Sequence, residues 1–196
     1  MGAVPPVRAG ELIDRVLAVA AGNVIMLSDV VAARDLGLVP TPTSADPLRE
    51  ILSRLIERAL VLGEVDRYAP PEPEAAEVDE ALRMVRAQFS SADALNALLA
   101  RVGMNEDHLR ETLRGDLRIR AYLEQRFTVG PPGDEALGRF YRENPQLFTH
   151  NGELVPFEEA RPQVLAAAVA ERRRTLAAEW IAGLRRRADV VDLYEK

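Results

Sequence analysis

PLREILSRLIERALVLGEVDRY, Pro47–Tyr68, decides the fold class of this chain. Leu48, Leu52, Leu55, Ala59 and Leu62 recur at helical spacing and line one face. Ile51, Ile56 and Leu60 widen that face beyond the stripe of a surface helix, so the segment reads as a central helix buried on more than one side. Asp46 is a capping residue, and Pro47 takes the first helical position, where a missing N–H costs least.

Upstream of this helix, the proline-rich stretch around Val39-Pro40-Thr41-Pro42 is a loop. Ser28-Asp29 offers an N-cap for a short helix through about Asp35, ending near Gly37. Before it, the alternating run from Leu12 to Val19 and the run Val24–Leu27 flank Ala21-Gly22-Asn23. This pattern predicts a β-hairpin.

Downstream, APPEPEAA breaks the chain. Val78, Ala81, Leu82, Val85 and Phe89 then mark an amphipathic helix. Ser90-Ser91 caps another, with Leu95, Leu98, Leu99 and Val102 on one face before Gly103 ends it. Asn105 caps a long helix through Phe127, with rows at Leu109, Leu113, Leu117 and at Ile119, Leu123, Phe127. After Gly130-Pro131-Pro132-Gly133, Asp134 opens a short helix that Asn144-Pro145 stops.

Thr149 to Pro156 reads as a loop. The longest helix runs from Phe157 to about Arg187, with Leu165, Val169, Leu176, Trp180 and Leu184 near one face and Pro162 within its first two turns. Asp189 to Tyr194 is strand-like and is the natural third strand for the hairpin. The expected fold is mainly α: six to seven helices, with a small β-sheet formed by the N-terminal hairpin and the C-terminal strand.

Composition narrows the function. The chain has 196 residues, 31 acidic and 25 basic, a net charge of −6 and no cysteine. Thiol catalysis, zinc–thiolate sites and iron–sulfur clusters are therefore excluded. His108 and His150 are too few for a histidine-rich metal site, so no metal or cofactor is expected. The acidic balance argues against nucleic acid as a partner. No run approaches 18 apolar residues, so no membrane span is expected. The opening MGAVPPVRAGEL lacks the features of a signal peptide, and Val16–Leu27 is interrupted by Gly22-Asn23. The chain is either cytoplasmic or one whose signal was removed before its numbering begins.

Catalytic candidates are thin. His108, beside Glu106 and Asp107, reads as a solvated first-turn residue, and His150 sits in the polar turn His150-Asn151-Gly152-Glu153. The pairs Glu50/Glu57, Asp79/Glu80 and Glu158/Glu159 lack apolar surroundings that would raise a carboxyl pKa. Arg172-Arg173-Arg174 and Arg185-Arg186-Arg187 each spread around a helix instead of forming one patch, which favours solvated or internally paired arginines.

Hydrophobic surface remains. The candidate peptide-binding residues are Met84, Phe89, Met104, Phe127, Phe140 and Trp180, though any one of them taken singly reads more readily as core. Micromolar binding needs about −8 kcal/mol. A few buried apolar side chains, at roughly 1.5–3 kcal/mol each, reach that after ordering costs.

The order of segments resembles the SurA-like chaperones and the related PpiD-like and PrsA-like folding factors. IDRVLAVAAGNVIMLSDV looks like the family's hairpin and first helix, and LREILSRLIERALVLGEVDRY resembles its central helix. VDEALRMVRAQF and SADALNALLARVGMNEDHLRETLRGDLRIRAYLEQRF resemble the two-helix step and long helix of the chaperone core. DEALGRFYRENPQLF looks like the segment that precedes a parvulin prolyl isomerase domain, and PFEEARPQVLAAAVAERRRTLAAEWIAGLRRRADV like the one that follows it.

The departure is at the junction. Only seven residues separate Phe148 from Pro156, where parvulin-bearing relatives carry a domain. The resemblance therefore implies a single chaperone core over 1–196 without the isomerase. Residues 11–148 would be completed by 157–194, with 149–156 marking the insertion point. It implies a periplasmic, ATP-independent, non-enzymatic chaperone, binding unfolded or extended outer-membrane or secreted polypeptides in an apolar groove. A homodimer through exposed groove surfaces is compatible with this. Two alternatives stand beside it: a residual prolyl-isomerase-related enzyme, and an adaptor using the same groove for one fixed partner.

Overall fold

The computed structural model describes residues 14–195. Leu12 and Ile13 of the hairpin alternation lie outside the described residues. Seven α-helices and five short strands are found among the described residues. The described residues divide into two compact units: residues 14–59, 75–113 and 188–195 form one, and residues 60–74 and 114–187 the other.

In the first unit, β1 (Val16–Ala20) and β2 (Asn23–Met26) make the expected hairpin. Ala21 and Gly22, with φ of 49° and 77°, supply the two left-handed positions of its tight turn. β5 (Val190–Asp192) adds antiparallel to the other side of β1, pairing Val19 with Val191, so the strand order is β2-β1-β5. The C-terminal strand thus completes the hairpin's sheet.

α1 (Leu27–Asp35) starts directly off β2, which differs from the expected Ser28-Asp29 cap. Met26 is the capping position. Asp29 lies three residues on and accepts the Met26 N–H at 2.7 Å. Burial holds the Asp29 carboxyl above its ordinary pKa, opposed by that hydrogen bond. Ser28 instead donates its N–H and hydroxyl to Asp14.

α2 (Pro47–Tyr68), α3 (Ala75–Arg86), α4 (Ala92–Arg101) and α5 (Glu106–Arg126) fall where the sequence predicts, except that α3 ends before Phe89, which lies in the turn after it, and α5 ends one residue before Phe127. Ser91 caps α4 through the Ala94 N–H, and Asn105 caps α5 through that of His108. The first unit's core gathers Leu36 of the loop after α1, Leu82 and Val85 of α3, Leu95, Leu98 and Leu99 of α4, and Leu109 and Leu113 of α5.

On α2 the buried line runs through Ile51, Leu52, Ile56, Ala59, Leu60, Val61 and Val65, while Leu48, Leu55 and Leu62 are partly buried. Ile51, Ile56 and Leu60, expected to widen the face, are buried together with Leu52 and Ala59 of the expected stripe.

In the second unit, α6 (Asp134–Glu143) leads through a 3-10 turn at Pro145–Phe148 to β3 (Thr149–His150) and β4 (Glu153–Leu154). The stretch read as a loop is therefore a minimal hairpin. Asn151 and Gly152, with φ of 53° and 85°, make its turn.

α7 (Phe157–Arg187) carries Pro162 in its second turn, where only the Glu158 carbonyl loses a donor. Its buried positions are Ala160, Val164, Ala168, Ala177 and Gly183, mostly small residues. Leu165, Val169, Leu176, Trp180 and Leu184 are half-buried beside them. Two apolar clusters hold this unit together. One is Leu137, Phe148, Ala160, Val164 and Ala168. The other is Val61, Val65 and Tyr122, with Ile119, Leu123, Trp180 and Leu184 against them.

Candidate functional site

Every aromatic residue except Phe89 and Tyr194 falls in the second unit. The C-terminal turns of α2 and α5 and the last third of α7 bring four of them into one chain of rings. Tyr68 stacks on Tyr122 with centroids 5.8 Å apart, Tyr122 tilts against Trp180 at 5.9 Å, and Phe127 meets Trp180 edge-on at 5.8 Å. Tyr122 is buried and anchors the group, whereas Tyr68 remains 60% exposed. The rings thus grade from core to surface.

The Arg126 guanidinium lies over this group, 4.9 Å from the Trp180 centroid and 5.8 Å from those of Tyr122 and Phe127. It also donates to the Tyr122 hydroxyl at 3.2 Å. Burial raises the Tyr122 phenol above its ordinary pKa, with the nearby Arg126 charge opposing it. Arg173 donates its Nε to the Phe127 carbonyl at 3.3 Å, so the first arginine triplet of α7 reaches the same place. Its neighbour Arg174 pairs with Glu171.

Of the six candidate binding residues, the structure brings Phe127 and Trp180 together in this group. Phe140 lies in the same unit but packs edge-on against Phe148 at 6.3 Å, within the other apolar cluster. In the first unit, Phe89 and Met104 are half-buried against its core, and Met84 on α3 is 57% exposed. Tyr68 and Tyr122 carry the ring chain and were not among the candidates. Their signal was the pairing of aromatics near the C-termini of two long helices, which helical spacing alone does not connect.

The remaining sequence candidates are held locally. His108 and His150 are exposed. Asp79 pairs with Arg110 and Glu80 with Arg83. Glu50 accepts from Arg54 and from the Thr43 and Ser44 N–H groups. Among the described residues no group of three acidic or histidine side chains is placed to hold a metal ion. No described helix is long and apolar enough to cross a membrane.

The sequence matches no protein-family model and no curated protein. A solved structure does match. It belongs to the Campylobacter jejuni pair formed by the virulence factor PEB4 and the periplasmic protein Cj1289, two structurally related SurA-like chaperones. The match has a TM-score of 0.53 at 13% identity and covers 91% of this chain and 99% of that one. The fold is SurA-like. The hairpin, the terminal strand that joins it and the long last helix are thus parts of a SurA-like architecture, while the ring chain and its arginine are described from this chain alone.

Proposed function

We propose that this chain is an ATP-independent chaperone that holds unfolded or extended polypeptides on its SurA-like framework. The observation that carries the reading is the graded aromatic group of Tyr68, Tyr122, Phe127 and Trp180, set on a fold whose solved counterpart is a SurA-like chaperone. Flat, partly exposed rings capture varied apolar side chains with little loss of conformational entropy, and an extended client adds backbone hydrogen bonds. In this reading residues 11–148 and 157–194 form one chaperone core, and the β3–β4 hairpin stands where relatives insert an isomerase. The protein then works as a binder without covalent chemistry, in the periplasm, on outer-membrane or secreted clients.

Phe140 in the second unit, and Phe89, Met104 and Met84 in the first, are proposed as auxiliary client contacts, each within its own unit. The first three have their own packing partners, so the exposed Met84 contributes most among them.

The test is suppression of aggregation. Several unrelated denatured proteins are diluted into buffer with and without the chain, in the absence of ATP. Suppression of all of them at near-stoichiometric amounts supports the proposal. Protection of one client alone indicates an adaptor, and acceleration of proline-peptide isomerisation indicates a retained enzyme. Tyr68→Ala is expected to weaken client retention several-fold while leaving the helical content intact.

A further inference from the structure

Arg126 combines two properties. It is fixed in place by three aromatic rings and the Tyr122 hydroxyl, yet among the described residues it has no carboxylate partner. Some arginines of the same unit are matched, Arg118 with Asp66 and Glu72, Arg161 with Asp134, Arg174 with Glu171, and what sets Arg126 apart from the other unmatched ones is its contact with three rings. Stacking on a ring restricts a guanidinium without neutralising it, and it leaves the edge N–H groups free to form paired hydrogen bonds to a carboxylate. Arg173, likewise without a carboxylate partner among the described residues, brings a second guanidinium to the Phe127 carbonyl.

The charge distribution supports an anionic guest. Among the described residues the first unit has 16 acidic and 9 basic side chains, whereas the second has 14 of each. A negative segment is therefore not repelled by the unit that holds the rings.

We propose that Arg126, held against Trp180, is a recognition point for carboxylates, selecting extended client segments in which an aromatic side chain stands beside an aspartate or glutamate. The aromatic side chain joins the exposed end of the ring chain at Tyr68, and the carboxylate meets the guanidinium edge. The inference rests on the client-holding reading and adds to it a chemical preference among clients.

Trp180 is the single tryptophan of the chain and sits in the site, so its fluorescence reports binding directly. The probes are two acetylated, amidated heptapeptides, one alternating phenylalanine with aspartate and the other phenylalanine with asparagine. The aspartate peptide is expected to change Trp180 emission saturably and to bind at least tenfold more tightly than the asparagine peptide, the gap narrowing at 0.5 M salt. Arg126→Gln removes that preference. Arg126→Lys, which keeps the charge and loses the flat stacking, retains part of it, and Arg142→Gln leaves it unchanged. Equal binding of both peptides, an unaltered preference in Arg126→Gln, or equal displacement by inorganic phosphate overturns the inference. Aggregation suppression is measured on the same samples. Suppression retained by a protein with no carboxylate preference sinks this inference alone, whereas a wild-type protein that protects no client sinks the chaperone reading itself.

Discussion

Tyr194 donates its hydroxyl to Asp46 at 2.9 Å, joining the end of the chain to the cap of α2 across 148 positions. Arg49, one turn into the same helix, pairs with Asp192 at 2.7 Å and lies 5.6 Å over the Tyr194 ring. The terminal strand is therefore held by side chains on one flank and by its ladder to β1 on the other. Three residues of ladder alone are marginal. The side-chain clasp makes a short strand persist at the sheet's edge.

The clasp predicts a local opening. Tyr194→Phe removes the bond to Asp46, and the Leu193 amide, which donates to the Leu17 carbonyl at 2.9 Å, is expected to exchange with solvent several-fold faster than in wild type. Amides of α4 serve as the reference and stay unchanged. The phenol's pKa is raised, first by its bond to Asp46. Its contribution is thus complete below the ordinary tyrosine value of about 10 and is lost as pH rises through the higher folded value. Wild type should approach the variant's exchange rate only above that range. Equal exchange at pH 7 would remove the clasp from the account.

Glu50 gives the opposite sign. The Arg54 guanidinium, then the Ser44 and Thr43 N–H groups, lower its carboxyl to about 2. A depressed pKa stabilises the fold above the unfolded value of about 4.3, and the contribution fades as pH falls through about 2. Glu50→Gln is expected to be less stable than wild type at pH 7 in urea unfolding, with the difference shrinking between pH 4.5 and 2. A difference that stays constant over that window would mean that the carboxylate's charge is not what orders the loop before α2.

Phe148 tests the core of the second unit. It is almost fully buried, stacked on Tyr141 with centroids 5.4 Å apart and set edge-on against Phe140. Phe148→Ala leaves a cavity at the foot of α6 and is expected to cost about 3–5 kcal/mol in denaturant unfolding. The milder Tyr141→Phe removes the hydroxyl's 2.6 Å bond to the Val155 carbonyl and is expected to cost about 1 kcal/mol. If the two variants cost the same, the ring stack is not the principal support of the β3–β4 hairpin.

Much of the architecture was legible because its signals are local. The bounds of α2, set by Asp46 and Pro47, and of α6, set by Asn144-Pro145, follow from backbone chemistry at single positions. The union of β5 with the hairpin was legible for a different reason, since two strands cannot hide an apolar face without a third. The start of α1 was misread because Asp29 reaches back three residues to Met26, and a side chain that caps from inside the helix resembles one that caps from its edge. The Asn151-Gly152 turn was present in the sequence, but the strands it joins are two residues long and show no alternation. The ring chain was the least legible. Tyr68, Tyr122 and Trp180 lie on three helices, and which of their faces meet is decided by tertiary packing.

Two glycines separate backbone need from side-chain space, and their alanine variants are predicted to move stability in opposite directions. Gly37 follows α1 with φ of 65°, and an added Cβ would fall 2.6 Å from the Gln88 side-chain oxygen. The Gln88 amide can swing aside, so Gly37→Ala costs chiefly through its left-handed backbone and is expected to lose about 1 kcal/mol. Gly183 lies inside α7, where its Cβ would meet the mobile ends of Arg187 at 3.3 Å and Arg186 at 3.8 Å. Those guanidinium groups can shift by a few tenths of an ångström, and alanine is the better helix former by about 0.8–1.0 kcal/mol. Gly183→Ala is therefore expected to raise the urea midpoint, although the position is buried. If Gly183→Ala lowers it instead, close approach of another chain segment, and not the arginines, is what fixes a glycine there.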